Sequence, residues 1–478
     1  MTSLLKKADQ TLEIAQSKVN PRWYPRYHLA APAGWMNDPN GLVWFNGWYH
    51  AFYQHHPYST QWGPMHWGHA RSKDLVHWEH LPVALAPEGP EDKDGCFSGS
   101  AVVDGETLAL IYTGHKFHGP VGDDENLYQV QCLATSSDGI HFERHGIVVD
   151  TPPGLHHFRD PKVWREGEHW YMIVGSRVND TGQVRLYRSA DLHEWHDEGI
   201  LAEADKEMGY MWECPDFFTL NGKRMLMFSP QGLAADGYKH RNLFQSGYLL
   251  GEWQPGQPFS HDGQFIEIDY GHDFYAPQSF LTPDNRRIII GWLDMWQSPM
   301  PEQQDGWAGM LSLPRELSLR EDNRLLIKPA AEVIALRGNY YPVSEHHLNN
   351  QKVFVTSDAK AVEILLEWEL HSSNAEQYGI ALGDGLRIYV DCQDKRLKVE
   401  RNYPMLSLEG VRSVVLPASD TLSLRIFIDH SSVEVFVNDG ESCLSSRIYP
   451  QQEHRDLVLF SNNGDAYLKG AGYWVLDK

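Results

Sequence analysis

Three acidic residues occupy similar places in the 478-residue sequence, each beside a short apolar segment. Asp38 and Asp160 directly precede a proline, and Glu213 lies two residues before one. Carboxylates that share a confined site raise each other's proton affinity, so one can stay protonated while another is ionised. Glycoside cleavage needs that division, because one carboxylate attacks the anomeric carbon while a protonated one donates to the leaving oxygen. The three residues therefore predict a catalytic site for sugar cleavage.

An internal repeat indicates how residues so far apart in the chain could meet. Five segments share one plan: a small or acidic residue followed by Pro or Gly, an apolar strand, a turn and a second apolar strand. Their Pro or Gly anchors are at positions 39, 99, 161, 215 and 277. The turns are Asn46-Gly47, Asp104-Gly105, Glu166-Gly167, Asn221-Gly222 and Asp284-Asn285. Asn-Gly and Asp-Gly are typical of type I′ hairpin turns, in which both central residues have positive φ.

A second motif, Ser-x-Asp-x-x-x-aromatic, follows three of these hairpins and begins at Ser72, Ser136 and Ser189. Each copy is expected to belong to an outer hairpin of the same unit. A four-stranded unit of roughly 55–60 residues that occurs five times predicts a five-bladed β-propeller. A plain series of β-meanders is the alternative, and the shared phasing of the two motifs disfavours it.

In a propeller the first strand of each blade lines the central channel, so the five anchors would converge on one mouth. That ring would contain Asp38, Ser98, Asp160 and Glu213, with Asp273 close to the fifth anchor. A simpler interpretation is that these residues only cap turns, as Asp commonly does. It fits one isolated Asp better than a phased set of carboxylates.

The chain divides into three predicted parts. Residues 1–21 are expected to be an N-terminal helical extension, with an amphipathic helix at 3–19. Residues 22–336 would form the propeller, and 329–336 a short helix or connector at its end. Alternating strands separated by turns predict a β-sandwich for 337–478. The expected fold class is therefore all-β apart from the short N-terminal helix.

Composition limits the partners and the location of the protein. A net charge of −23 disfavours nucleic acid and anionic membranes as partners, because both need basic patches. Five widely spaced cysteines without a C-x-x-C pair argue against a disulfide framework and for a reducing compartment. The N-terminal residues lack the apolar run of a signal peptide, and no segment is apolar for the roughly 18 residues that a membrane span needs. A cytoplasmic protein is expected.

Four motifs, in this order, resemble those of glycoside hydrolase family 32, the invertases and β-fructofuranosidases. They are Trp35-Met-Asn-Asp-Pro-Asn-Gly41, Phe97-Ser-Gly99, Phe158-Arg-Asp-Pro161 and Trp212-Glu-Cys-Pro-Asp216. The segment from Leu424 through Asn438 is similar to the C-terminal sandwich of the family, so the likeness covers the whole chain. Within the family the sequence most resembles bacterial intracellular sucrose and sucrose-6-phosphate hydrolases.

The resemblance implies a role for each carboxylate. Asp38 would be the nucleophile that forms a covalent fructosyl-enzyme, and Glu213 the general acid and then the base. Asp160 would bind fructose hydroxyls and stabilise the oxocarbenium-like transition state, with net retention of configuration. The residues implied to line the substrate subsites are Asn37, Gln54, Trp62, Phe97, Ser98, Arg159, Asp273, Tyr275 and Trp292. No cofactor or metal is expected.

Rival functions fit the sequence less well. A metal site is suggested by the pairs His66-x-x-His69, His55-His56 and His156-His157, but this spacing places two rings together only on a helix. A serine hydrolase lacks support because no G-x-S-x-G motif occurs. A non-catalytic carbohydrate-binding propeller would not need Asp38 and Glu213 together, and a fructosyltransferase would use an acceptor sugar in place of water. The sequence leaves open whether the glucose must carry a 6-phosphate, and whether the protein is a monomer or a homodimer.

Overall fold

A computed structural model describes residues 2–205 and 207–477, so the outermost residues of the predicted parts, Met1 and Lys478, lie outside it. The N-terminal helix α1 spans Ser3–Gln16. Its first turn is capped by Thr2, whose side-chain oxygen accepts a hydrogen bond from the Leu5 amide at 3.3 Å. The helix is three residues shorter than predicted. Within the described residues, no helix is long and apolar enough to cross a membrane.

Five consecutive antiparallel sheets follow the helix and form the blades of a propeller, which confirms the predicted fold class. Blade one contains β1 (Gly34–Phe45), β2 (Trp48–His56), β3 (His66–Ser72) and β4 (Trp78–Leu85). Blade two contains β5 (Gly95–Asp104), β6 (Thr107–Phe117), β7 (Leu127–Ser136) and β8 (Glu143–Val149). Blade three contains β9 (His157–Glu166), β10 (His169–Val178), β11 (Thr181–Ser189) and β12 (His196–Glu203).

Blade four is formed by β13 (Met211–Leu220), β14 (Lys223–Gln231), β15 (Gly247–Glu252) and the short strands β16 (Ser260–His261) and β17 (Ile266–Glu267). Blade five is formed by β18 (Tyr275–Leu281), β19 (Arg287–Trp292), β21 (Arg315–Leu319) and β22 (Leu325–Pro329). Between β19 and β21 the chain leaves blade five and forms β20 (Trp307–Ala308), which pairs in parallel with β1 of blade one. This pairing ties the end of the propeller to its beginning.

The first strands of the blades surround the central channel, as the repeat predicts. Strand β1 contacts β5, β5 contacts β9, β9 contacts β13, β13 contacts β18, and β18 contacts β1 again. Neighbouring blades are held together by apolar side chains, as where Ile111 of blade two packs with Val163 and Met172 of blade three. The anchors of all five repeats therefore lie on one closed ring of strands.

The predicted hairpin turns are present, but they are not all of one type. Both central residues have positive φ in Asn46-Gly47 and in Asn221-Gly222, as a type I′ turn requires. In the other three hairpins only the second central residue does: Gly105, Gly167 and Asn285. Asp104, Glu166 and Asp284, the first central residues of these turns, do not have positive φ, so these three turns are not of type I′.

The rest of the chain forms a sandwich of two antiparallel sheets. One sheet contains β23 (Arg337–Pro342), β24 (His347–Asn349), β26 (Val362–Glu369), β31 (Thr421–Asp429), β32 (Ser432–Val437), β33 (Ser442–Arg447) and β35 (Asp465–Leu476). The other contains β25 (Lys352–Thr356), β27 (Gln377–Leu382), β28 (Leu386–Asp391), β29 (Arg396–Tyr403), β30 (Leu408–Val415) and β34 (Leu457–Asn462). Short 3₁₀ helices span Pro301–Asp305, Ala331–Leu336, Pro404–Leu406 and Asn438–Gly440.

A buried charged cluster joins the propeller to the sandwich. The Nδ1 atom of His28 lies 2.7 Å from Oδ2 of Asp429, and its Nε2 atom contacts Glu434. Arg315 of blade five links Asp269 and Glu434, with 2.8 Å between the nitrogen and oxygen atoms of each pair. Burial alone would lower the pKa of His28, but the charge of Glu434, the hydrogen bonds to both carboxylates and the charge of Asp429 raise it to about 9. The imidazolium is therefore part of the interface.

This cluster predicts a fall in stability at alkaline pH. The folded-state pKa of His28 is about 9 against an ordinary value of 6.5, so the native state binds more protons between these values. Its contribution of about 3 kcal/mol is fully present below pH 6.5 and lost as the pH rises through 9. Urea unfolding of the wild type should show this slope, and His28→Gln should be less stable at pH 6.5 and should lack it. Equal slopes in the two proteins would contradict the assignment.

Candidate active site

A β-bulge interrupts the first strand of every blade at the repeat anchor. The pairing register shifts between Met36 and Pro39, Cys96 and Gly99, Glu213 and Asp216, and Tyr275 and Gln278, and in blade three it shifts opposite Asp160. A bulge leaves an extra residue unpaired and re-aims its side chain. Asp160 (φ 70°), Cys214 (φ 48°) and Ala276 (φ 55°) adopt left-handed backbone at equivalent bulge positions. Such strain in residues other than glycine is characteristic of functional sites.

The bulges bring Asp38, Asp160 and Cys214 together at the channel mouth. Oδ2 of Asp38 accepts a hydrogen bond from Ser98 Oγ at 2.7 Å, and Oδ1 accepts one from Asn37 Nδ2 at 3.1 Å. The Cys214 thiol lies 3.3 Å from Asp38 Oδ2 and 3.5 Å from Asp160 Oδ2. Asp38, Ser98, Asp160 and Cys214 directly precede the anchors of four blades and thus lie on one ring around the channel, in which hydrogen bonds connect Ser98 to Asp38 and Cys214 to both aspartates.

Asp160 is held by backbone as well as by side chains. Its Oδ2 atom accepts a hydrogen bond from the Cys214 amide at 3.0 Å, and its own amide donates to Thr113 Oγ1 at 2.9 Å. Both Asp160 and Asp38 are more than nine-tenths buried. The two carboxylates are therefore fixed in place before any ligand arrives.

Glu213 is the most accessible of the three carboxylates, and three side-chain donors hold it. Its Oε2 atom accepts a hydrogen bond from Arg159 Nε at 2.9 Å. Its Oε1 atom accepts from Tyr275 OH at 2.6 Å and from Gln231 Nε2 at 2.9 Å. Three blades therefore orient this carboxyl group, while its side chain stays partly open to solvent.

The crowding of negative charge has the electrostatic effect that general acid catalysis needs. Burial, followed by the charge of Glu213, raises the pKa of Asp38 above its ordinary value. The same two causes raise the pKa of Asp160 to about 8, although Arg159 opposes them. Asp160 therefore retains a proton near neutral pH within a group of interacting carboxylates. The site can therefore hold an ionised and a protonated carboxyl group at the same time.

The remaining predicted site residues surround this ring, with one clear exception. Trp62 is 41% exposed and contacts Phe97 edge-on at 6.0 Å between ring centroids. Gln54 is buried, and its amide donates to the Cys96 carbonyl at 3.0 Å, close to the anchor of blade two. The Trp292 ring is fully buried in an apolar cluster that also contains Cys214 and Tyr275.

Asp273, the exception, lies in the interface with the sandwich. Its carboxylate accepts a hydrogen bond from Arg401 at 2.7 Å, and from the backbone and guanidinium of Arg447 at 2.9 and 3.1 Å. Its side chain is fully buried and is satisfied by these arginines. The charged groups that compensate it come from the second part of the chain, so its oxygens do not join the carboxylate ring.

Two glutamines that the sequence analysis did not name complete the site. Gln231 donates to Glu213 directly, and Gln129 Oε1 accepts from Arg159 Nη1 at 3.3 Å. The repeat could have indicated Gln231, because the second strand of an inner hairpin ends beside the start of the first strand. Gln231 is the last residue of β14 and therefore lies near Glu213 at the start of β13. Gln129 lies on a third strand, and no repeat position indicated it.

Buried histidines of the first two pairs are held by structural contacts. His50 and His69 bond each other at 2.9 Å, and His55 Nδ1 lies 2.7 Å from the Trp35 carbonyl oxygen. Burial lowers the pKa of His55 to about 3 and that of His66 to about 4, so both are neutral. In the part of the chain that the structure describes, no group of three or more His, Cys, Asp or Glu residues is suited to hold a metal ion.

A five-bladed propeller with three convergent carboxylates at its channel mouth defines a glycoside hydrolase. The profile of the glycosyl hydrolases family 32 N-terminal domain matches residues 28–329, and that of the C-terminal domain matches 332–475. The chain belongs to glycosyl hydrolases family 32.

Relatives of known function cover the whole chain. It is 54% identical over 475 residues to a sucrose-6-phosphate hydrolase of Escherichia coli, which covers 99% of both proteins. It is 54% identical to a raffinose invertase of the same species over the full length of both. The structure of a mutant GH32 beta-fructofuranosidase of Bombyx mori in complex with sucrose is similar, with a TM-score of 0.86, 37% identity and coverage of 99% and 98% of the two chains.

Proposed function

We propose that this enzyme hydrolyses the β-fructofuranosyl bond of sucrose, sucrose 6-phosphate or both, with retention of configuration. The observation that carries the proposal is the convergence of three carboxylates from three blades: Asp38 and Asp160 share the Cys214 thiol, and Glu213, the neighbour of Cys214 in sequence, accepts a hydrogen bond from Arg159, the neighbour of Asp160. The products would be fructose and either glucose or glucose 6-phosphate. Relatives named sucrose-6-phosphate hydrolase and raffinose invertase, each 54% identical, support this substrate class.

In the proposed mechanism Asp38 attacks the anomeric carbon of the fructosyl unit and forms a covalent intermediate. Hydrogen bonds from Ser98, Asn37 and Cys214 hold its carboxylate and favour the ionised form. Burial raises the pKa of the Cys214 thiol well above its ordinary value, so the sulfur is protonated and can donate. The nucleophile is thus oriented without being neutralised by a cation.

Glu213 is the proposed acid that protonates the leaving oxygen and then the base that activates water. Its partly open position suits contact with a leaving group that must enter and depart. Arg159, Tyr275 and Gln231 fix both of its oxygens, so the carboxyl group needs little reorganisation during the reaction. Asp160, buried between the two, would bind fructose hydroxyls and stabilise positive charge in the transition state.

The substrate-binding residues are proposed around this centre. Asn37, Gln54, Phe97, Ser98 and Trp292 would line the fructose site, with Trp62 at the exposed edge. Arg159 and Tyr275, also proposed to line the site, donate hydrogen bonds to Glu213. We do not extend this role to Asp273, because the arginines of the sandwich occupy its carboxylate.

Incubation with sucrose and with sucrose 6-phosphate tests the function directly. We expect release of glucose or glucose 6-phosphate, with the two efficiencies deciding whether the phosphate is needed. No release from either substrate would refute hydrolysis. Product analysis at high sucrose separates hydrolysis from transfer, because a dominant yield of oligofructans would identify a fructosyltransferase instead.

The cysteines support a cytoplasmic location. All five cysteines are unpaired, and four are buried, which is typical of a protein from a reducing compartment such as the cytoplasm.

We place the boundary between propeller and sandwich at residues 336 and 337. This placement is supported by β22, which ends at Pro329, and by β23, which begins at Arg337 and pairs with β35.

A further inference from the structure

Arg447 is a fully buried residue of the sandwich whose guanidinium reaches a loop of the propeller. Its Nη1 atom donates to the Pro299 carbonyl at 2.8 Å, and its Nη2 atom donates to Ser298 Oγ at 2.6 Å. Its Nε atom lies 2.9 Å from Asp294 Oδ1, and Nη2 also donates to Asp273 at 3.1 Å. One side chain thus contacts three residues of the segment 294–299, which follows the last inner hairpin of the propeller.

The segment 294–299 has few other polar attachments. It contains neither helix nor strand, and its remaining hydrogen bonds, from the Met295 amide and the Ser298 hydroxyl, stay within it. Among residues 2–205 and 207–477, every hydrogen bond or ion pair that connects 294–299 to the rest of the chain is made by Arg447. Its polar anchorage therefore comes from the sandwich.

This segment carries Trp296, the outermost ring of an aromatic wall beside the proposed nucleophile. The Trp35 indole donates to Asn37 Oδ1 at 2.8 Å, next to Asp38. The Trp296 ring stacks on Trp35 at 5.8 Å between centroids and contacts Trp292 at 4.9 Å. Trp35 and Trp292 are buried, whereas Trp296 is partly exposed. The wall thus extends from Asn37 outward to a ring whose position depends on the loop.

We propose that Arg447 is a positioning residue for the substrate cavity, through which the sandwich holds the Trp296 wall in place. The inference rests on the proposed function of the cavity. The planar guanidinium offers five donors in a fixed fork, enough to bind Asp294, Ser298, Pro299 and Asp273 together. A lysine at this position would keep the charge for Asp273 but could not satisfy the same set of acceptors.

Kinetics and backbone exchange of Arg447→Lys and Ser298→Ala test the proposal. A displaced wall weakens binding without touching the carboxylates, so kcat/KM for sucrose should fall about 10–100-fold in Arg447→Lys, mainly through KM. Ser298→Ala removes one contact and no charge, so KM should rise in the same direction but less. Peptide-resolved hydrogen–deuterium exchange should be faster in 293–300 for both variants, and this measurement does not depend on activity.

Arg315→Lys is the matched control. Arg315 is equally buried in the same interface and also bridges it, through Asp269 and Glu434, but it has no contact with 293–300. Its variant should lose thermal stability and keep the wild-type KM. Wild-type KM and wild-type exchange in both test variants would overturn the proposal, as would an equal rise of KM in the control. If Arg447→Lys does not fold, Ser298→Ala decides, and inactivity of the wild type on sucrose would refute the proposed function instead.

Discussion

Asp38→Ala is expected to abolish hydrolysis, with kcat for sucrose reduced by at least about 10⁴-fold, while the protein remains as stable as the wild type or becomes more stable. The loss of activity is expected because Asp38 is the carboxylate proposed to form the covalent intermediate, and alanine offers no nucleophile in its place. Stability is retained because burial and the charge of Glu213 make the ionised Asp38 carboxylate unfavourable in the fold. Its removal relieves that cost.

The pH dependence of this effect has a defined sign. The folded-state pKa of Asp38 is raised, so the native state binds more protons than the unfolded state and loses stability as the pH rises. The melting temperature of Asp38→Ala relative to the wild type should therefore be higher at pH 8 than at about pH 4, close to the ordinary carboxyl pKa of 3.8 at which the effect begins. Circular dichroism melts at the two pH values measure this. A variant that melts far below the wild type at pH 8 would contradict the electrostatic account.

Asp216→Ala provides the opposite pattern as a comparison. Asp216 is a buried acid three residues after Glu213, but it lies 3.6 Å from Lys162 Nζ and accepts a hydrogen bond from the Ser279 amide at 2.7 Å. Its removal leaves the buried lysine uncompensated, which typically costs about 3–5 kcal/mol. We expect Asp216→Ala to be destabilised yet active at temperatures where it is folded. A buried acid that serves stability and one that serves catalysis are thereby distinguished.

The repeat accounts for much of what could be predicted from the sequence. Asp38, Ser98, Asp160 and Cys214 are at equivalent repeat positions, so a propeller necessarily brings them to one ring. The shape of the ring depends on β-bulges and on left-handed backbone at Asp160 and Cys214. A bulge is a small register shift between strands, which apolar alternation does not reveal.

The features that were not predicted arise where two parts of the chain meet. Asp273 occupies a repeat-related position, but its partners Arg401 and Arg447 come from strands more than a hundred residues later. No pattern around residues 401 or 447 indicates that they face the propeller. For the same reason, Trp296 and the loop that carries it could not be connected with the sandwich before the fold was known.

Glu213→Gln is expected to lower kcat for sucrose by about 10²–10⁴-fold, the usual contribution of a general acid. The amide cannot supply a proton, so the poor alkoxide leaving group of sucrose would depart unassisted. An aryl β-fructofuranoside with an acidic phenol needs no such proton, so its first step should be nearly as fast as in the wild type. A pre-steady-state burst of phenol release would measure that step, since the second step still lacks its base.

Added azide tests the second half of the same assignment. As an anion it needs no base to attack the fructosyl-enzyme, so it should restore turnover of the aryl fructoside by Glu213→Gln and yield a β-fructosyl azide. The matched control is Glu166→Gln, at the far end of β9, where the carboxylate is paired with Arg224 at 2.6 Å; its kinetics should be those of the wild type. Equal losses on sucrose and on the aryl fructoside, with no response to azide, would remove Glu213 from the acid–base role. The partner of Asp38 would then have to be sought at Asp160, whose pKa of about 8 also allows it to hold a proton.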